Sequence, residues 1–343
     1  MARTPRIAAS VLDEIECITR WYLATAYGHW EGPGTVPYYA DPSRVGPFAV
    51  DLDALTSRDP DALFKLLISA ASYQSRRDVD IMEIQRTMRP SRARELTSPV
   101  RLRVLMERAP CSHLRDPNEF DQHCDVRRDL ARGGATCATR PRTPCHVKDA
   151  TMAIGRMGDL GKMSTSAWLR LGGPGLGGWF DEACAVSPDP HRRAAWLVER
   201  VATIYRIGQK LASMFVSALS VVELAGIAPW SPEVDGSRIV VVDANVARAI
   251  RIWRRDRGVR TYAASTSWLI AAADQIDLSL LRGDLPSRSP RLVQQAIFLF
   301  RSRSNRAALG DKCASRPCTA CPSRVCPFRA VKNDAITVTT SPS

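Results

Sequence analysis

The stretch IYRIGQKLASMFVSAL, residues 204–219, sets a short turn containing Gly208 directly ahead of a helical pattern. Leu211, Met214, Phe215, Ala218, Leu219 and Val222 recur at helical spacing and mark one apolar face. A glycine in the turn permits a backbone with positive φ and close approach by another molecule. The first-turn N–H groups of the helix have no intrahelical acceptor, and such a helix end suits a phosphate oxygen. A contact of that kind holds a protein on DNA without reading its sequence. An ordinary turn into a core helix fits the same letters, so the flanking sequence has to decide.

Downstream, VVVDANVARAI (240–250) delivers Asp243 to the head of a second helix. Val246, Ala249, Ile250 and Trp253 line one side of it, while Arg248, Arg251, Arg254 and Arg255 crowd elsewhere. Upstream, Asp59 and Pro60 open another helix, with the acid as cap and the proline in the first turn. Between the loop-like segments 31–47, 109–147, 172–178, 229–237 and 283–290 the periodicity is mostly helical. RIVVVD (238–243) is the one strand candidate, and it also reads as plain extended chain. The class expected is all-α.

Over 343 residues, 48 Lys and Arg stand against 35 Asp and Glu, a net charge of +13 that favours a polyanionic partner. Acids interrupt the first apolar run, which argues against a secretory signal, and no segment reads as a membrane span. A cytoplasmic, reducing setting follows, in which clustered cysteines hold metal more often than they form disulfides. The four in CASRPCTACPSRVC are Cys313, Cys318, Cys321 and Cys326, with gaps of four, two and four residues. On spacing alone, zinc and an iron–sulfur cluster suit them nearly equally.

Taken together, these segments resemble the helix–hairpin–helix DNA glycosylases of the endonuclease III type. That family carries a hairpin L-P-G-V-G-x-K-x-A followed by V-D-x-x-V-x-R. Ile204, Ile207, Gly208, Lys210 and Ala212 match the first motif, and Val242, Asp243, Val246 and Arg248 the second. LFKLLISAASYQSRRD (63–78) looks like the family's early helix and puts Gln74 where those enzymes insert a glutamine into the DNA stack. The cysteine run has the order of the family's cluster loop. Arg206 stands where the family has its first hairpin glycine, and Tyr205 where it has proline. Lys210 and Asp243 lie 33 positions apart, more than is usual, and the outer cysteine gaps are shorter.

The resemblance implies a two-lobed fold. A helical barrel (55–228) would end in the hairpin, and residues 1–54 with 238–330 would carry a [4Fe-4S] cluster on the four cysteines. A tail (331–343) reads as disordered. It implies a monomer, nucleoid-associated, that flips and excises a damaged or modified base from double-stranded DNA. Asp243 would stabilise the cationic sugar, and Lys210 would attack C1′ and cleave by β-elimination, once neutral through burial and neighbouring cations. Gln74, Arg206, Ile207, Gly208, Gln209 and Arg248 would contact DNA, and basic residues near Arg316 and Arg324 would lie against phosphate. A monofunctional glycosylase and a non-catalytic DNA-binding protein remain the alternatives. Cys111, His113, His123, Cys124, Cys137, Cys145 and His146 are ligand types without paired spacing, and Cys17 and Cys184 read as small core residues.

Overall fold

The computed structural model describes residues 7–74, 77–108, 111–124, 147, 160–173, 175–255, 261–310 and 323–328. Among them there are helices and no strand, apart from one isolated bridge between Tyr27 and Glu31. The chain is mainly α, and no described helix is long and apolar enough to cross a membrane. Arg76, Cys137, Cys145, His146, Cys313, Arg316, Cys318, Cys321 and the segment 331–343 lie outside the described residues.

The helices that frame the site begin with α1 (Ala9–Thr25), α2 (Pro60–Ala71) and α3 (Asp78–Thr87). They continue with α4 (Leu160–Leu171), α5 (Gly175–Val186), α6 (Pro190–Val201) and α7 (Gln209–Ser220). The last four are α8 (Ala244–Arg254), α9 (Tyr262–Ala273), α10 (Pro290–Arg301) and α11 (Arg303–Ala308). Local chemistry fixes several starts. Asp59 accepts from the Ala62 N–H at 2.9 Å with Pro60 at the first position of α2, and Asp243 accepts from the Val246 N–H at 2.8 Å to cap α8.

Two apolar cores form. The first joins α2, α3 and α4 to α5, α6 and α7 and takes in Tyr39, Val45, Phe48 and Val50 from the stretch ahead. The second joins α1 to α8, α9 and α10 and extends to Val325 and Cys326. The segment 229–237 lies over the first core rather than hanging from it. Trp230 is fully buried beside Phe180 and Phe215, and the Arg58 guanidinium sits 4.4 Å from the Phe180 ring and donates to the Pro229 carbonyl. Cys17 departs from expectation: it lies on the outer face of α1 and is exposed. Cys184 is half-buried against the first core.

A buried arginine ties the cores together. Arg291, in the first turn of α10, donates from Nε to Ser217 Oγ on α7 at 3.2 Å, and from Nη1 to Gln294 and Gln295 Oε1. Burial pulls its pKa down to about 10. The run 238–243 is extended chain without a strand partner. Its polar groups are met by side chains: Gln294 Oε1 accepts from Val241 N–H at 3.0 Å, and the Tyr262 hydroxyl lies 3.3 Å from both Val242 N and Val240 O.

Candidate functional site

The hairpin 204–208 leads into α7 as the sequence suggests, but its strain falls on a different residue. Gly208 is the N-cap of α7 with φ −82°, an ordinary extended conformation, whereas Arg206 takes φ +63°. The left-handed conformation thus sits at Arg206, where the resembling motif has glycine. A chain reversal at that position needs a positive φ whichever residue is there. Tyr205, in the motif's proline position, is held from behind by α4. Its N–H donates to Ser166 Oγ at 3.1 Å, and the buried Lys162 ammonium lies 4.0 Å from its ring centroid. Ile207 is buried, while Arg206, Gly208 and Gln209 are exposed.

No side chain caps α7, and a Cβ built on Gly208 would meet nothing within 4 Å. The open ground expected for close approach is therefore present, although positive φ at the glycine is not. Arg248 is exposed on α8, one turn beyond its cap. Gln74 lies just past the end of α2. Its amide folds back, donating to the Ala71 carbonyl at 2.6 Å and reaching Met163 Sδ at 3.6 Å. Arg77 is exposed and pairs with Asp80 at 2.8 Å.

Lys210 and Asp243 stand on helices that belong to the two different cores. Lys210 is the second residue of α7 and Asp243 caps α8, and their charges act on each other. Burial raises the Asp243 pKa; the Val246 N–H and then Lys210 oppose that rise. Cations were expected around Lys210. The ionisable groups that respond to it include two carboxyls, Asp243 and Asp78.

Asp78, the first residue of α3, is the site residue that motif reading missed. It is half-buried, with the Asn305 side chain of α11 as hydrogen-bond partner, and burial raises its pKa. Lys210 lowers that pKa and Asp243 raises it. The only cue available in the sequence was its place as the last letter of LFKLLISAASYQSRRD. Behind it stand Tyr38 and Tyr73, ring centroids 5.5 Å apart, both held neutral chiefly by burial, with the Asp78 charge adding to the effect. Next to these tyrosines, Arg44 lies 4.7 Å over the Trp30 ring, on an open groove of about 590 Å³ lined also by His29 and Val36. Lys210 and Asp243 do not line that groove.

Of the four cysteines proposed to hold a cluster, Cys326 is described. It is buried, and Arg306 Nη1 donates to its sulfur at 3.5 Å. A buried sulfur that receives N–H bonds fits a thiolate of a metal cluster. The segment around it is fixed inward. Glu14 of α1 accepts from Ser323 Oγ at 2.9 Å and from Arg324 Nε and Val325 N at 3.1 Å. Arg324 thus pairs with Glu14 within the protein through its Nε. Arg301, whose pKa burial lowers, feels Arg248, Cys326 and Asp243 together and donates to the Val325 carbonyl. Among the described residues no group of three or more Cys, His, Asp and Glu has metal-holding geometry. The His113 and His123 rings lie 5.4 Å apart, tilted by 33°, and His113 faces Glu119 at 3.9 Å.

No family model matches the chain, no curated protein matches it, and no solved structure matches it.

Proposed function

We propose that this protein is a DNA glycosylase that removes a damaged or modified base and then cleaves the abasic strand through Lys210. What supports this reading is that Lys210 and Asp243, 33 positions apart, stand at the heads of two helices and that the Lys210 charge lowers the Asp243 pKa. Breaking the bond from base nitrogen to C1′ builds positive charge on the sugar. The Asp243 carboxylate, which caps α8 through Val246, would offset it. Lys210, once neutral, supplies the nucleophile for a Schiff base, and a carboxyl beside it can accept its proton.

DNA would be held by the uncapped end of α7 at Gly208 and by the exposed Arg206, Gln209 and Arg248. The base must leave the stack to reach the pair, and Gln74, at the end of α2, would fill the gap it leaves. Cys313, Cys318, Cys321 and Cys326 would hold a [4Fe-4S] cluster. When bound, the cluster serves as a cross-link that keeps 323–328 on Glu14, with no part in base removal.

The test is a panel of duplexes carrying oxidised, alkylated, mispaired and naturally modified bases, incubated with the protein and borohydride. Base release with a covalent protein–DNA adduct supports the full reading. Release without an adduct makes the enzyme monofunctional. Specific binding without release from any duplex makes it a DNA-binding protein.

A further inference from the structure

A single buried side chain joins the helix that carries Lys210 to the run that delivers Asp243. Arg291 lies in the first turn of α10, within the second core. Its Nε donates at 3.2 Å to Ser217 Oγ of α7, about two turns beyond Lys210. Its Nη1 donates at 2.7 Å to Gln294 Oε1, the same oxygen that accepts the Val241 N–H at 3.0 Å. Val241 stands two residues ahead of Asp243. An unbroken path of hydrogen bonds thus runs from α7 to the extended run, and Ser217, Arg291, Gln294 and Val241 are all buried.

The surroundings tighten this path. The Arg291 N–H donates to the Ser237 carbonyl at 2.7 Å, and a Cβ built on Gly236 would collide with Ser220 Oγ of α7. At the start of the run, Arg238 pairs with Asp274 at the end of α9 at 2.7 Å. Behind the guanidinium, Gln295 accepts from Nη1 at 3.0 Å and donates to the Glu31 carboxyl at 3.0 Å. A guanidinium is a planar fork, so partners on two of its nitrogens are held at a set distance and angle. Buried polar networks of this kind favour one arrangement of the parts they join.

We propose that Arg291 is a positioning residue, which sets where Lys210 stands relative to Asp243 through Ser217 on one side and Gln294 on the other. This rests on the glycosylase reading, in which that placement governs the rate of base release. Arg291 acts through its partners and leaves the changes in bonding to Lys210 and Asp243. A lysine in its place keeps a charge but has one nitrogen where the fork has three, so it cannot hold both partners as the fork does.

The test compares Ser217→Ala, Arg291→Lys and the double variant with wild type, all well below their unfolding temperatures. Single-turnover base release and duplex affinity are both measured. Misplacing reacting groups by about 1 Å costs on the order of 100-fold. Arg291→Lys is expected to slow release by about that factor with duplex binding unchanged, and Ser217→Ala by a smaller one. The double variant should be no slower than Arg291→Lys, since both changes break the same path. Hydrogen exchange over 238–243, read by mass spectrometry of the full chain, needs no activity. Ser217→Ala should speed exchange there and leave α4 as in wild type.

Unchanged release in both single variants overturns the positioning role and leaves the glycosylase reading standing. Effects that multiply in the double variant overturn the shared path. Exchange over 238–243 that Ser217→Ala does not move, or that rises equally in α4, overturns it too, and decides the matter if Arg291→Lys does not fold. If wild type releases no base from any duplex, the glycosylase reading fails and the positioning role fails with it.

Discussion

Replacing Arg206 by glycine should strengthen the fold and weaken the grip on DNA. Arg206 holds φ +63° in an exposed turn, and the left-handed region costs an L-residue about 1–2 kcal/mol. Glycine escapes that cost but loses about 0.5–1 kcal/mol more chain entropy on folding. The substitution also gives up the contact of the Arg206 guanidinium with the Tyr205 ring at 5.6 Å, worth roughly 0.5 kcal/mol when exposed. The net change for Arg206→Gly is a gain of about 0.3 kcal/mol. Arg206→Ala keeps the backbone penalty and loses the same ring contact, so the glycine variant should be the more stable of the two by about 1 kcal/mol. Thermal or urea unfolding of both variants measures this difference. On the DNA side, either variant loses one cation at the hairpin. The slope of log affinity against log salt should fall by about 0.9, with binding weakened alike across sequences. Fluorescence anisotropy on an undamaged duplex from low to moderate salt reads the slope. An alanine variant as stable as the glycine variant would refute the strain argument. An unchanged slope would refute the placing of Arg206 on phosphate.

Gly46 has φ +54°, and a Cβ there would lie 2.6 Å from the Arg86 carbonyl oxygen of α3. Gly46→Ala should therefore cost about 2 kcal/mol or more; denaturant unfolding checks it. Burial raises the pKa of Asp78, Asp243, Glu31 and Glu223, so the folded protein binds protons that the unfolded chain has already released. Their contribution to stability is full below pH ~4 and is lost as pH rises through the folded pKa values. Unfolding followed across pH should show that fall, and Asp78→Asn with Asp243→Asn should flatten it. Removing iron with a chelator, or replacing Cys326 by Ser, should bleach the protein and loosen 323–328 from Glu14. Visible absorbance with iron and zinc analysis tests this, and a colourless zinc protein would reassign the cluster.

What could be read from the letters was local. Asp59 with Pro60, and Asp243 before Val246, announce helix starts because a cap and its N–H lie three residues apart. The buried face of α8 at Val246, Ala249, Ile250 and Trp253 follows from spacing alone. The misplaced strain had a simple origin. Positive φ is the province of glycine as a rule, so Gly208 drew it, whereas the turn required it two residues earlier at Arg206. Contacts between distant parts of the chain left no local sign. Nothing near Arg324 in the sequence announces its partner Glu14, some 310 residues away. The extended run 240–242 looks like a strand until Gln294 and Tyr262 are found serving its polar groups. Asp78 has an unremarkable sequence setting, and the influence of Asn305, Lys210 and Asp243 on it arises only once the chain is folded.

The most direct test of the account joins its two central residues in one experiment. A duplex that wild type cleaves is incubated with borohydride and with wild type, Lys210→Gln or Asp243→Asn, and the covalent adduct and released base are both measured. The account expects an adduct with wild type, none with Lys210→Gln, and loss of base release by two orders of magnitude or more with Asp243→Asn while DNA affinity holds. An adduct that persists in Lys210→Gln, or full base release by Asp243→Asn, would contradict it.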